Sequence, residues 1–503
     1  MILIKDLLAP WFHYAGSEAI DQMTLDSRQV QTGSLFVAVP GYQVDGREFI
    51  DTAIQQGAAA VLAHTDEPEH HGQVSYKPQG SVPVISFFQL TRQLSAVAGQ
   101  CYPLQVSQTK FIGITGTNGK TSVSQLIAQI AELLHQKAAV MGTLGNGMWG
   151  KLVETGNTTA DAVTLAKQLA KFQTLGAQIC AMEVSSHGLV QGRVEAVPFE
   201  VAVFTNLSRD HLDYHGDMDA YGAAKKRLFT FPHLKSAVLN VDDAVGEQWF
   251  AELSTQPSKT ALGYSTQASK FADIFTENAR YHYAGVDAEI CWPRGRGKIQ
   301  SPLLGEFNLS NLLAALAALY AAGENMEQML AVVPQLKAVP GRMEKFASAN
   351  EQTKGVSLVV DYAHTPDAIE QALKALRVHC RRKLWCIFGC GGDRDQGKRP
   401  LMARAAEQYA DCVVVTSDNP RSESPEAIIA QVVSGLEMPQ SATVIAERKD
   451  AIQKALQNAQ SGDILLLAGK GHETYQEVAG QKRFYDERQF AAEIMSNAQG
   501  ASL

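Results

Sequence analysis

The run Phe111-Ile112-Gly113-Ile114-Thr115-Gly116-Thr117-Asn118-Gly119-Lys120-Thr121-Ser122 decides how this chain folds. It opens as an apolar strand and turns through two glycines. It then runs into Val123, Leu126, Ile127, Ile130, Leu133 and Leu134, which recur at helical spacing. A glycine-rich turn between a strand and a helix N-terminus aims backbone N–H groups and the positive end of the helix dipole at one point, which suits phosphate oxygens. Gly116, Thr117, Asn118, Gly119, Lys120, Thr121 and Ser122 are therefore the candidate cradle for ATP. Lys120 would reach the terminal phosphates, and the Thr121 hydroxyl would meet the magnesium that bridges them. The spacing is irregular, because Ile114 stands where the first glycine of GxxxxGK[ST] belongs and Gly113 comes one step earlier. A purely structural turn is the competing reading.

Outward from this loop, the apolar strands at 178–184, 201–204 and 237–240 each end in a polar or glycine-rich turn. Uninterrupted strands of that kind predict a parallel sheet covered on both faces by helices, an α/β fold. A second strand-and-helix series, with strands at 384–388, 412–416 and 464–467, predicts a Rossmann-like C-terminal domain. Short apolar runs at 34–39, 58–63 and 82–87 predict a smaller α/β domain at the N-terminus. The expected domains are 1–98, 99–338 and 339–503, with Ala338-Val339-Pro340-Gly341-Arg342 as the hinge. A length of 503 residues with 45% apolar content supplies about three ordinary cores.

The charge balance, 44 basic against 52 acidic residues without a long basic run, disfavours nucleic acid or an anionic membrane as partner. Seven cysteines without a paired CxxC spacing argue against a disulfide framework or a zinc ribbon. No stretch approaches the roughly 20 apolar residues of a membrane span, and the first residues lack the pattern of an export signal. A soluble cytoplasmic protein, acting as a monomer, is expected.

ATP binding alone does not choose a reaction. Glu183, in Ala181-Met182-Glu183-Val184-Ser185-Ser186-His187-Gly188, ends an apolar strand, where a carboxylate is costly unless paired or bound to a cation. The cluster Asn206-Leu207-Ser208-Arg209-Asp210-His211-Leu212-Asp213-Tyr214-His215 offers further ligands and could alone be read as a metal-hydrolase site. For any one of these residues, a hydrogen-bonded loop side chain is the plain alternative.

Taken together these motifs resemble the Mur ligases, which extend the peptide of the bacterial cell-wall precursor, with folylpolyglutamate synthases as more distant relatives. Gly305-Glu306-Phe307-Asn308-Leu309-Ser310-Asn311, Pro340-Gly341-Arg342-Met343-Glu344 and Asp361-Tyr362-Ala363-His364-Thr365-Pro366 follow in the family's order. The resemblance implies that a carboxylate attacks the γ-phosphate of ATP and that an amine then attacks the acyl phosphate, giving an amide, ADP and phosphate. It implies magnesium held by Thr121, Glu183 and His211, and a Lys225 turned by carbon dioxide into a carbamate able to hold a second magnesium. Lys120, Lys225, Glu183 and His211 are the implied catalytic set, and Asn308, Arg342 and Asp361 the further nucleotide contacts. Without the resemblance, a lysine early in a helix such as Lys225 is usually a solvated surface charge, a reading the resemblance reverses, and helix capping is the competing reading for Asn308 and Asn311.

The resemblance further implies UDP-MurNAc-dipeptide and meso-diaminopimelate as substrates. Leu25, Ser27, Tyr42, Gln43 and Val44 match the uridine-nucleotide end. Asn157, Thr158, Thr159, Ser185, Gln191 and Arg193 match the muramoyl-dipeptide end. Arg394, Asp418, Asn419, Pro420, Arg421, Gly469 and Glu473 match the amino-acid end. An arginine grips a carboxylate through two parallel hydrogen bonds, so Arg421 favours diaminopimelate over lysine, which lacks the distal carboxylate. The lysine-adding or folate-adding ligases, a P-loop kinase or hydrolase, and a non-catalytic nucleotide-binding module are the competing functions.

Overall fold

The computed structural model describes residues 1–41, 44–77, 81–155, 158–347 and 355–496. These residues form two compact units, Met1–Tyr264 with Ala314–Asn325, and Ser265–Leu313 with Met326–Leu503. Within them, separately wound sheets flanked by helices give an α/β protein of three domains.

In the first unit, Gln22–Thr24, Ser34–Ala38, Ala60–Thr65 and Pro83–Phe88 pair in parallel in that order, with Val74–Tyr76 antiparallel at the edge. Leu35, Val37, Leu62 and Ile85 of this sheet share one core with Leu94 and Val97 of the helix Leu90–Cys101. Ala162, Val163 and Ala166 of the helix Ala162–Thr174 join the same core. That shared core makes one unit of the first sheet and the second.

The second sheet runs in the order Gly145–Met148, Ala138–Gly142, Ile179–Glu183, Lys110–Thr115, Phe199–Phe204, Ser236–Asn240, Thr260–Ser265. All these neighbours are parallel except the first pair. Every residue of Ala138–Gly142, Ile179–Glu183 and Ser236–Asn240 is buried, which is why these strands read as continuous apolar runs. Val123, Leu126, Ile127 and Ile130 of the helix Lys120–Leu133 are buried as the periodicity predicted. Burial of such a side chain contributes about 1.5–3 kcal/mol, so the helix that starts at the glycine loop is held by its apolar face. The loops after Thr115, Glu183 and Phe204 all leave the carboxyl edge of adjacent strands, the place where α/β sheets gather ligand-binding groups.

In the second unit, Ser357–Asp361, Ile464–Ala468, Leu384–Phe388, Cys412–Val415 and Thr443–Val444 are parallel neighbours, with Glu344–Ala347 antiparallel beside the first. The loops after Asp361, Phe388, Val415 and Ala468 again leave one edge. A three-stranded antiparallel meander, Ile274–His282, Gly285–Trp292 and Gly295–Ser301, was not foreseen from sequence. Its exposed alternate residues, Asp287 and Glu289 among them, break the apolar runs that mark the buried strands. Residues 338–342, the expected hinge, lie inside the second unit, and compactness does not divide the chain at 98/99 or 338/339.

Candidate active site

The glycine loop is braced from the side. Thr117 N donates to Asn206 O at 2.8 Å, Asn118 N to Asn206 Oδ1 at 3.0 Å, and Ser208 N to Thr117 Oγ1 at 3.0 Å. Gly116 has φ +145°, and a Cβ there would lie 1.9 Å from Thr205 Oγ1, so only glycine serves at this crossing. Lys120 folds back over the loop, donating to Gly116 O and Thr117 O at 2.9 Å each. The backbone of Asn206 and Ser208 and the Asn206 side chain thus shape the phosphate loop, a role that sequence alone did not assign to the cluster.

Behind the loop sits Glu183, 1% exposed. Its Oε2 accepts from Thr121 Oγ1 at 2.9 Å and Thr143 Oγ1 at 3.1 Å, and its Oε1 accepts from Thr143 N at 2.9 Å. Burial pushes this carboxyl above the ordinary carboxylate range, against the pull of Lys120 and of those hydrogen bonds. A carboxylate among hydroxyls is an oxygen donor set that fits a hard cation such as magnesium. Among the described residues no three His, Cys, Asp or Glu side chains form a metal-binding group. Magnesium tolerates that, because it retains waters and takes phosphate oxygens alongside one or two carboxylates. Thr143 was missed from the sequence; its only signal is its place at the end of the strand Ala138–Gly142.

Lys225 departs from the plain reading of an isolated lysine. It lies in the last turn of the helix Met218–Lys226, not early in a helix, and at 1% exposure it is no solvated surface charge. Its Nζ donates to Gly116 O at 2.9 Å and lies 4.3 Å from the centre of the Tyr221 ring. Burial, reinforced by the like charge of Lys120, pushes its ammonium down to about 6. His211 stands with φ +52° at the start of the short helix Leu212–His215, its ring edge-on to His187 at 5.1 Å.

The residues assigned to the muramoyl-dipeptide end gather around the same strand end. Thr159 Oγ1 donates to Glu183 O at 3.0 Å and accepts from Ser185 N at 3.1 Å. Thr158 Oγ1 is 3.1 Å from Thr143 Oγ1. Arg193 donates to Thr159 O at 2.7 Å and grips Gln191 Oε1 through two nitrogens. Ser185 is also a helix cap, accepting from Gly188 N at 3.0 Å. In the first sheet's domain, Ser27 begins a 3-10 turn capped by Asp26, and Val44 is exposed. Tyr42, Gln43 and Asn157 lie outside the described residues.

In the second unit, Asp361 Oδ1 accepts from Ala363 N at 2.9 Å and Oδ2 from Met343 N at 2.8 Å, while burial pushes its carboxyl up against the pull of Arg342. The Arg342 guanidinium lies 4.9 Å from the Tyr362 ring centre, and its Nε is buried without a hydrogen-bond partner among the described residues. A buried donor left over in this way has hydrogen-bonding capacity to offer a ligand. Asn308 and Asn311 are not caps. Both are buried within the helix Glu306–Ala321, where Asn308 Nδ2 donates to Leu304 O at 2.8 Å.

The strand ends at 415 and 468 bring the amino-acid residues together. Asn419 Nδ2 donates to Glu473 Oε2 at 2.9 Å. Arg421, at φ +52°, donates through Nη1 to Gly392 O at 2.8 Å, and its Nε lies 3.7 Å from Glu477 Oε2. A Cβ on Gly391 would have Arg421 Nη1 at 2.8 Å and Arg394 Cγ at 3.8 Å, so the two arginines flank one glycine. Gly469, at φ +116°, is where the chain passes so close to Asp418 that a Cβ would sit 2.6 Å from Oδ2. Sequence reasoning missed two groups here. Lys470 lies buried among Asp418, Asn419 and Glu473. The buried pair Arg448–Glu487, through Arg448 Nη2 donating to Ala468 O at 2.9 Å and Nη1 to Ser417 O at 3.5 Å, ties the two strand ends together. Removing one partner of such a pair costs about 3–5 kcal/mol.

Three family models match the chain: "Mur ligase family, catalytic domain" over residues 19–98, "Mur ligase middle domain" over 114–319, and "Mur ligase, glutamate ligase domain" over 341–471. The chain is 48% identical over 496 residues to the UDP-N-acetylmuramoyl-L-alanyl-D-glutamate--2,6-diaminopimelate ligase of Vibrio cholerae, covering 98% of each protein. It is 46% identical over 478 residues to the enzyme of that name from Haemophilus influenzae, covering 95% of this chain and 96% of the relative. A solved structure of a ligase with the same name aligns with a TM-score of 0.74 at 38% identity, over 98% of this chain and 99% of that one. A folylpolyglutamate synthase of Mycobacterium tuberculosis, solved with ADP and AMPPCP, shares the fold at a TM-score of 0.59 and 19% identity, over 75% of this chain and 92% of its own.

Proposed function

The chain belongs to the Mur ligase family, and from that membership we propose that it joins meso-2,6-diaminopimelate to UDP-N-acetylmuramoyl-L-alanyl-D-glutamate, with ATP converted to ADP and phosphate. The observation that carries the proposal is the presence in one chain of two differently equipped strand edges. One has a phosphate loop backed by Thr121 and Glu183. The other has Arg421 for a carboxylate and Glu473 for an ammonium.

An ionised carboxylate is a poor acyl donor because its leaving group would be an oxide. A carboxylate oxygen of the dipeptide attacks the γ-phosphorus, the bond to the β-phosphate oxygen breaks, and ADP departs. The resulting acyl phosphate carries phosphate as a good leaving group. The amine of diaminopimelate then attacks the carbonyl carbon, and the carbon–oxygen bond to phosphate breaks with loss of a proton from nitrogen. Two anions must meet in the first step, so cations at the loop lower its barrier. Lys120 and the loop amides hold the phosphates. Thr121 and Glu183, with His211 and Lys225, would hold magnesium, which when bound neutralises phosphate charge.

Lys225 serves that role as a carbamate: its neutral amine forms a nitrogen–carbon bond to carbon dioxide and loses a proton. The burial that pushes its ammonium down to about 6 supports this, since it leaves the nitrogen lone pair free at neutral pH. Thr158, Thr159, Ser185, Gln191 and Arg193 orient the dipeptide, and Asn308, Arg342 and Asp361 complete the nucleotide contacts. Leu25, Ser27 and Val44 lie at the uridine end. No helix among the described residues is long and apolar enough to cross a membrane.

The test supplies ATP, magnesium, UDP-MurNAc-dipeptide and either meso-diaminopimelate or L-lysine, and weighs the product. A tripeptide formed with diaminopimelate is expected. Equal use of lysine sinks the specificity, and ADP release without any amine makes the enzyme a hydrolase.

A further inference from the structure

Lys470 is fully buried, and its ammonium has three donors to place. Nζ donates to Glu473 Oε2 at 2.8 Å, to Asn419 Oδ1 at 3.0 Å and to Tyr475 O, which uses all three. Asp418 Oδ1 lies 3.8 Å away. Asn419 Oδ1 also accepts from Glu477 N at 2.9 Å, so its carbonyl end is claimed twice and its Nδ2 is directed onto Glu473 Oε2. Glu473 Oε2 thereby accepts two hydrogen bonds, while Oε1 accepts none among the described residues. A carboxylate with one oxygen saturated and one left is aimed.

The charges lead to the same residue. Asp418 and Glu473 are two carboxylates around one lysine, and the nearby Arg448 is already matched by Glu487. With both carboxylates ionised the cluster keeps one uncompensated negative charge, the complement of a single ammonium; burial, with Glu473 adding to it, pushes the Asp418 carboxyl up against the pull of Arg448 and Lys470. Without Lys470, two partly buried carboxylates would face each other and one would take up a proton, as like charges at close range do.

We propose that Lys470 is the positioning residue that sets the acceptor's ammonium requirement: it saturates Glu473 Oε2 and leaves Oε1, with one net negative charge, for the ammonium at the far end of the incoming amino acid. The inference rests on the diaminopimelate reading above and adds to it a residue that touches no reacting atom.

The test compares KM for diaminopimelate with KM for 2-aminopimelate, which keeps the distal carboxylate and lacks the distal ammonium. It uses the wild-type chain and Lys470→Gln, which retains a donor without the charge; melting curves check that the variant is folded. In wild type the analogue should bind about tenfold or more worse, because Glu473 Oε1 is left without its ammonium partner. In Lys470→Gln the KM for diaminopimelate should rise about tenfold, the ratio between the two amines should shrink to about threefold or less, and KM for ATP should move less than about twofold. Lys470→Met, without donor or charge, should shrink the ratio further.

An unchanged ratio in a folded variant overturns the proposal, because a purely structural lysine would affect both amines alike. Equal use of the two amines by wild type overturns it even if neither variant folds. If wild type ligates neither amine, the diaminopimelate reading itself has failed, and that result is separate from any change in the ratio.

Discussion

The two strand edges solve the same problem, holding charge near a reaction, in opposite ways. At the phosphate loop the direct partners of buried Glu183 are two threonine hydroxyls and one amide, and its carboxyl is pushed upward. At the amino-acid edge the carboxylates Asp418 and Glu473 have Lys470 built between them, and Arg421 is fixed by Gly392. The first edge is completed by cations that come with the substrate. The second is compensated by the chain itself except for one negative charge, which is left for the amine. An edge of the first kind should be sensitive to magnesium, whereas one of the second kind should be sensitive to the shape and charge of the amine.

The strongest way to break this contrast is Glu183→Gln. It should lower kcat on the order of a thousandfold and blunt the magnesium dependence, read from ADP release. The same change should raise the melting temperature near neutral pH. The folded pKa of Glu183 lies above its unfolded value, so its charge opposes folding at neutral pH and that penalty is relieved as pH falls through the raised value. A loss of stability at neutral pH would show that the chain already compensates Glu183.

Next in size is Lys225→Ala, which should cost about a hundredfold in kcat and regain part of it with added short carboxylic acids. With 13C-labelled carbon dioxide, wild type should show a carbamate carbon signal that the variant lacks. Absence of that signal in active wild type removes the carbamate. Lys225 has a folded pKa depressed to about 6, so the folded state binds fewer protons than the unfolded one above that value. Its contribution to stability should accordingly rise with pH from about 6 toward its ordinary range.

Smaller still, Arg421→Ala should raise KM for diaminopimelate about 10- to 100-fold, the loss of charge-assisted hydrogen bonds, and leave KM for ATP within about twofold. If both constants rose together, Arg421 would belong to the nucleotide and not to the amine.

How much of this was legible in advance varies by residue. The parallel strands could be read because burial on both faces leaves an unbroken apolar run, as in Ile179–Glu183. The meander Ile274–Ser301 could not, because exposed residues interrupt each of its strands. Glu183 announced itself as a carboxylate at an apolar strand end, whereas Thr143 had no distinguishing chemistry until the fold set its hydroxyl 3.1 Å from Glu183 Oε2. Lys225 looked solvated beside Lys226 and Arg227, but the last helical turn carries it inward to Gly116 O. Lys470 stands between Gly469 and Glu473, both singled out from the sequence, and still went unread, since Asn419, 51 residues away, reaches it only when the strands ending at 415 and 468 lie at the same edge.

The sequence by itself determined the α/β class, the strand–loop–helix at 110–133, the two series of buried strands and, through its motifs, the family. Periodicity and glycine placement are local, and the chain records them directly. Tertiary structure alone decided the partners of Glu183, the burial of Lys225 and the contact of Lys470 with Asn419. Each of these depends on which strands become neighbours and at what register, and that is set by packing between segments far apart in the chain.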